Sequence, residues 1–195
     1  SDGRMRHAKS GQWWETAPQM ALSNNSVCYT DKPDGETFLR EWTSLVESKS
    51  GERGIFNRMS AKEQAKKFGR RDANHEFGTN PCSEIILRPY QFCNLTEVVI
   101  REKDKFEDLK RKVMLATIIG TAQSTLTKFP YLRKIWQKNT EEERLLGVSL
   151  TGIMDNELTS GKKHGLDKTL EALRQVAVET NKEWATIFGI PQSTA

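Results

Sequence analysis

Cysteine and histidine are scarce, three of each in 195 residues. Cys28, Cys82 and Cys93 are too far apart for a Cys-x-x-Cys knuckle, and His7, His75 and His164 are scattered. That counts against a structural zinc site, whose ligands come in short paired spacings. Long hydrophobic runs are missing: the apolar stretches are a few residues long, where a membrane-spanning helix needs about 20. The first residues lack the charged-then-apolar pattern of a secretory signal. The expectation is a cytoplasmic chain with no membrane partner. In that reducing compartment a cysteine is more often buried, catalytic or redox-active than part of a static staple. Neither charge sign dominates. The net charge of +4 comes from interspersed acids and bases, which reads as a solvated surface rather than a phosphate-seeking one, with no nucleic-acid partner expected. Internal repeats and low-complexity segments are also absent.

What is present is a globular profile: 36% hydrophobic and 29% charged residues, with five Trp and eight Phe. Such a chain is long enough for one domain with a core and is not a disordered segment. It starts at Ser1 without Met and stops just past a helix end near Pro191, so it reads as a piece of something longer.

Strands and helices alternate in the pattern. Residues 22–29 read as a strand bringing Asn24, Asn25 and Ser26 to an inner face. After a turn at 31–35, Phe38, Leu39, Trp42, Leu45 and Val46 recur at helical spacing, predicting a helix over 37–48. Residues 55–57 read as a short strand. Ser60 with Glu63 fits a capping box for a helix ending at Gly69. Residues 70–77 read as a solvated polar loop, and 85–87 and 95–100 as strands. A helix over 106–127 has Phe106, Leu109, Val113, Ala116 and Ile119 near one face, with Pro130 ending or bending the region. Residues 145–150 read as a buried strand. Asp167 is placed to cap a last helix with Leu170, Leu173, Ala177, Trp184 and Ile187 inward, closed by Gly189 and Pro191. The implied class is α/β, with functional groups presented on loops. The Trp13–Trp14 pair reads as packing against neighbouring structure.

The chemistry concentrates in Asn80-Pro81-Cys82-Ser83-Glu84. If residues 80–84 are extended, alternate side chains share a face, and an amide, a thiol and a carboxylate meet one cavity. The carboxylate can act as a general base and the amide can donate and accept hydrogen bonds. The thiol is a nucleophile, a metal ligand, a redox centre, or simply a small buried hydrophobe. An anionic Glu84 nearby disfavours a thiolate, which weakens plain nucleophilic catalysis.

Asn80-Pro81-Cys82-Ser83-Glu84 followed by Cys93-Asn94-Leu95-Thr96-Glu97-Val98 resembles the central signature of ribonucleotide reductase catalytic chains. It is most similar to the class II, adenosylcobalamin-dependent type, and in particular to the monomeric ribonucleoside-triphosphate reductases. Three further segments resemble the same family in the same order: Ser23-Asn24-Asn25-Ser26-Val27, the stretch from Gly51-Glu52 to Asn57-Arg58, and Leu146 to Gly152 with Lys138-Asn139 before it. Ser83 stands where the family usually has Gly.

The resemblance implies that residues 1–195 form the central portion of a ten-stranded α/β barrel, with Cys82 at the tip of a finger loop inside it. It implies that Cys82 becomes a thiyl radical by way of adenosylcobalamin and takes the 3′-hydrogen of a ribonucleotide. Glu84 takes the 3′-hydroxyl proton, and Asn80 orients the ribose hydroxyls. Asn24, Asn25 and Ser26 are candidates to line the substrate site, the alternative for such turn-favouring residues being strand-end capping. Cys93 is one member of the dithiol that ends as a disulfide, regenerated by a thioredoxin-like reductant. The second member is expected before residue 1, and Cys28 reads as core. A nucleotide effector and complementary chains of the same enzyme are expected partners. The cobalamin-binding part is not recognisable. The alternatives are a non-catalytic or assembly piece of a split reductase, and a class I large chain with a separate radical-generating subunit.

Overall fold

A computed structural model describes residues 3–23, 25–49, 54–80, 83–162 and 164–194, without the side chains of Leu22 and Phe68. The chain divides into two units, Ser1–Pro89 and Tyr90–Ala195. Both are mixed α/β with small sheets. Among the described residues, no helix is long and apolar enough to cross a membrane.

The first unit opens with short helices α1 (Gly3–Arg6) and α2 (Trp13–Thr16) and a 3-10 turn at Pro18–Leu22. Strand β1 is only Val27–Tyr29, shorter than its sequence implied, because the 3-10 turn takes up its predicted start. It pairs in parallel with β2 (Ile55–Asn57), Val27 opposite Ile55. Helix α3 (Gly35–Ser48) connects them, capped by Asp34, whose carboxylate accepts from Thr37 N at 2.8 Å.

The apolar stripe located α3 correctly but does not form its buried face. Phe38, Leu39, Trp42 and Val46 are exposed, while Glu41 is only 1% exposed. The physical reason is an ion pair: the Arg6 guanidinium meets Glu41 Oε1 at 2.7 and 3.0 Å and turns the polar side of the helix inward. Glu41 in turn raises the Arg6 pKa above its ordinary value, mainly through that hydrogen bond.

Helix α4 (Arg58–Phe68) ends at Gly69 as expected, in the left-handed conformation glycine favours. Its cap is not Ser60. Asn57 at the end of β2 accepts from Ser60 N at 3.1 Å, so Ser60 already lies in the first turn. Strands β3 (Gly78–Thr79) and β4 (Ile86–Leu87) then form an antiparallel hairpin, Thr79 opposite Ile86.

The second unit is a β–α–α–β–α run. Strands β5 (Asn94–Val99) and β6 (Leu146–Thr151) pair in parallel along their whole length, from Asn94↔Leu146 to Val99↔Thr151. Between them run α5 (Phe106–Gln123) and α6 (Lys134–Glu143), and α7 (Leu166–Phe188) follows. Val98, Ile100, Leu109, Val113, Ala116 and Leu173 make the core, with Phe106, Val148, Leu150 and Val176 around it. Full burial of each large apolar side chain stabilises by roughly 1.5–3 kcal/mol.

Two glycines allow that packing. A Cβ on Gly120 would lie 2.2 Å from Leu146 Cδ1, so α5 sits on the sheet only because position 120 has none. Gly152, with φ +72°, would place a Cβ 2.4 Å from the Ile100 carbonyl oxygen.

Helix α5 stops at Gln123, before the predicted 127, so Pro130 falls in the following loop. Asp167 sits in the first turn of α7, whose N-cap position is Gly165. Leu173 is buried as predicted, but Leu170 and Ile187 are exposed. The inner face of α7 is instead partly polar, because Asn181 Nδ2 donates to Thr121 Oγ1 on α5 at 2.9 Å.

Candidate functional site

In the first unit the tip of the β3–β4 hairpin carries the motif. Pro81 and Cys82 lie outside the described residues, as does Asn24. The residues around the cysteine are not extended. Ser83 has φ +64°, its N–H donates to the Asn80 carbonyl at 3.1 Å, and Asn80 N reaches the Ile85 carbonyl at 3.4 Å. The chain therefore turns where the sequence suggested alternation.

The turn still brings together the two groups that alternation was meant to align. Asn80 Nδ2 donates to Glu84 Oε1 in a close hydrogen bond. Asn80 Oδ1 accepts from Ile85 N at 3.1 Å, which fixes the amide's orientation. Asn80 is half-buried and Glu84 exposed.

Two arginines hold the hairpin. Arg58 Nε donates to the Phe77 carbonyl at 2.6 Å, and its Nη1 meets Glu76 at 2.9 Å. Lys62 meets the other Glu76 oxygen at 2.7 Å. These contacts, led by the Lys62 hydrogen bond, lower the Glu76 pKa below its ordinary value. Arg71 lies over the Phe77 ring, 4.6 Å from its centroid, and donates to the Ile86 carbonyl at 2.7 Å. It is thus a structural clamp and not the solvated side chain its polar loop implied. Phe77 itself is fully buried. None of these contacts was legible in the sequence, where Arg71 and Phe77 sit in a stretch without periodicity.

Three motif segments of the first unit converge. Ser26 Oγ accepts from Gly54 N at 3.0 Å, and Val27 N donates to the Gly54 carbonyl at 3.0 Å. A Cβ on Gly54 would lie 3.1 Å from Ser26 Oγ and 3.9 Å from Ser83 Oγ. The strand after Asn25, the start of β2 and the residue after Cys82 therefore meet at Gly54. Next to Ser26, Asn25 is 7% exposed. Its Oδ1 accepts from Ser23 Oγ at 2.8 Å, while its buried Nδ2 has no hydrogen-bond partner among the described residues. An unmade buried hydrogen bond costs about 1–3 kcal/mol, so this amide is available to a bound acceptor. Trp14 and Cys28 are exposed. Cys28 is thus not core: it takes the outward position of β1, between the half-buried Val27 and Tyr29.

In the second unit Cys93 is half-buried and directly precedes β5. It follows an aromatic cluster in which Phe92 lies 4.6 Å from Trp136 and 5.1 Å from Phe129, centroid to centroid. The two motif strands predicted separately, β5 and β6, are direct neighbours. Among the described residues no three His, Cys, Asp or Glu side chains gather as metal ligands.

By sequence, the chain is a relative of ribonucleotide-reducing enzymes and aligns with a segment of them. The particular relatives are adenosylcobalamin-dependent ribonucleoside-triphosphate reductases. It is 28% identical to that of Lactobacillus gasseri over 84% of this chain and 25% of the relative. It is 32% identical to that of Lacticaseibacillus paracasei over 68% of this chain and 17% of the relative. Against that of Lactobacillus leichmannii the identity is 34% over 50% of this chain and 14% of the relative. The chain thus spans a quarter or less of the length of these curated relatives. No family model and no solved structure matches it.

Proposed function

We propose that the chain is the central portion of the catalytic barrel of a class II ribonucleotide reductase, and that it reduces a ribonucleoside triphosphate to the 2′-deoxy product. The observation that carries this reading is the Asn80–Glu84 hydrogen bond made across the position of Cys82. It joins an orienting amide and a proton acceptor, the residues two before and two after Cys82 in sequence.

In this reading a Cys82 thiyl takes the 3′-hydrogen, forming S–H as C3′–H breaks, and gives it back to C3′ in the last step, which restores the thiyl. Glu84 accepts the 3′-hydroxyl proton. Asn80 holds the ribose hydroxyls, and Asn24, Asn25 and Ser26 line the sugar site, with the unpartnered Asn25 Nδ2 as a ready donor. The 2′-hydroxyl leaves as water. Two thiols, Cys93 among them, supply two electrons and two hydrogens and end as a disulfide, which a thioredoxin-like dithiol reduces by exchange.

Adenosylcobalamin is the proposed cofactor, since the relatives are named for it. Among the described residues no three His, Cys, Asp or Glu side chains gather as metal ligands, and no residue of this chain is assigned to the cofactor. With a quarter or less of the relatives' length present, catalysis requires complementary segments of the enzyme. The setting is the cytoplasm, with a nucleotide effector acting through those segments.

The test is reconstitution with the complementary segments of a relative, adenosylcobalamin, a nucleoside triphosphate and a dithiol. Deoxynucleotide formation should fall to background with Cys82→Ser. With Glu84→Gln it should fall about 10²–10⁴-fold, the usual contribution of a positioned acid–base group. Product formation that survives Cys82→Ser would overturn the assignment.

A further inference from the structure

The second unit contains a buried polar cluster that the proposed chemistry does not use, and it borders Cys93. Gln91 is 5% exposed, Asn139 4% and Glu143 5%. Gln91 Nε2 donates to the Glu143 carboxylate in a close hydrogen bond and to the Asn139 carbonyl at 3.3 Å. Asn139 Nδ2 donates back to the Tyr90 carbonyl at 3.3 Å. On the other side of the cysteine, the backbone and side-chain N–H groups of Asn94 both reach the Leu145 carbonyl, at 2.9 and 3.1 Å. Both flanks of Cys93 are therefore tied to one short stretch, the end of α6 and its exit into β6.

Burying a carboxylate and two amides is costly unless each is engaged, and apolar side chains of the same size would stabilise such a site at least as well. What directional bonds add is position. Thiol–disulfide exchange is sensitive to position, because the two sulfurs must close to about 2 Å with Cβ atoms about 3.8 Å apart. We propose that Gln91, Asn139 and Glu143 are positioning residues that hold Cys93 in register and restrict access to its thiol. The inference rests on the redox role of Cys93 proposed above, but its test needs neither nucleotide nor cofactor.

The experiment is site-resolved alkylation of the intact chain by a small thiol reagent, quantified by mass spectrometry. The exposed Cys28 serves as the internal reference. The Cys93 rate relative to Cys28 should rise about tenfold in Gln91→Met and Glu143→Leu. It should rise two- to threefold in Asn139→Ala, which keeps the carbonyl that Gln91 uses. It should stay near the unsubstituted rate in Glu143→Gln, whose amide oxygen still accepts from Gln91. That rescue separates positioning from a general loss of packing. If Gln91→Met or Glu143→Leu unfolds the chain, Asn139→Ala and Glu143→Gln decide. A Cys93 rate unchanged in the folded variants, or raised equally by Glu143→Gln, would overturn the proposal. Loss of the redox assignment would appear separately, as reductase activity indifferent to Cys93→Ala with a protein dithiol as reductant.

Discussion

Residues 94–188 and residues 27–57 each join two parallel strands through helix, yet they hold those strands by different means. In the former, six-residue strands lie under α5, on which α7 packs, and Val98, Ile100, Leu109, Val113 and Leu173 are buried together. In the latter the strands are three residues long and the deepest side chain of α3 is Glu41, held by Arg6. The hairpin that follows hangs from Arg58 and Arg71 through carbonyl oxygens. Apolar burial gives stability without direction. Hydrogen bonds add only about 0.5–1.5 kcal/mol net each but fix geometry. The segments around the Cys82 motif are built for placement, and the β5–β6 core with α5 for cohesion.

The strongest way to break that contrast is Gly152→Ala. The added methyl would meet the Ile100 carbonyl oxygen at 2.4 Å in a backbone with φ +72°. The expected loss is about 3 kcal/mol or more, as for other strained or overpacked sites. Amide hydrogen exchange should show reduced protection across β5 and β6 and unchanged protection in β3 and β4. An equal loss in both would mean the two units do not differ in how they cohere.

A smaller effect sharpens the part that charge plays in the second unit. Lys112 first, and Arg101 N next, hold the Asp104 carboxyl below its usual range. A lowered folded-state pKa stabilises above the unfolded value of about 3.9 and ceases to do so as pH falls through the folded value. Asp104→Asn should therefore lower the urea midpoint at neutral pH, by an amount equivalent to about 1 kcal/mol. The gap to the unsubstituted chain should close as pH falls through the lowered folded-state value. A gap constant across that range would show that the carboxylate's charge is not its source.

The smallest effect belongs to the motif. Ser83 adopts φ +64°, which costs an L-residue roughly 1–2 kcal/mol, while glycine's extra freedom when unfolded returns about 0.5–1 kcal/mol of that. Ser83→Gly should stabilise the chain by about 0.5 kcal/mol, read as a small rise in urea midpoint. Destabilisation would imply that the Ser83 hydroxyl near Gly54 contributes more than its backbone costs.

Legibility followed the kind of force involved. β2 and the Gly69 stop of α4 were readable because β-formers and glycine act locally. Helix α6 was not, because Asn139, Thr140 and Glu143 are its buried residues and leave no apolar stripe. Ser60 mimicked a cap, but Asn57 stood one turn closer to the strand and took that place. At the motif, Asn80 and Glu84 were identified with their residue types, while the geometry joining them, a turn through a left-handed Ser83, was read as extension.

The sequence by itself determined the class, mixed α/β, and the candidate chemistry, because alternation of patterns and the order of motif residues are written along the chain. Only the tertiary structure decided that Ser26, Gly54 and Ser83 meet, that Arg58 and Arg71 carry the hairpin, and that Cys28 faces outward. Those outcomes depend on contacts between residues far apart in sequence, where one ion pair or one missing Cβ selects which of several allowed faces is buried.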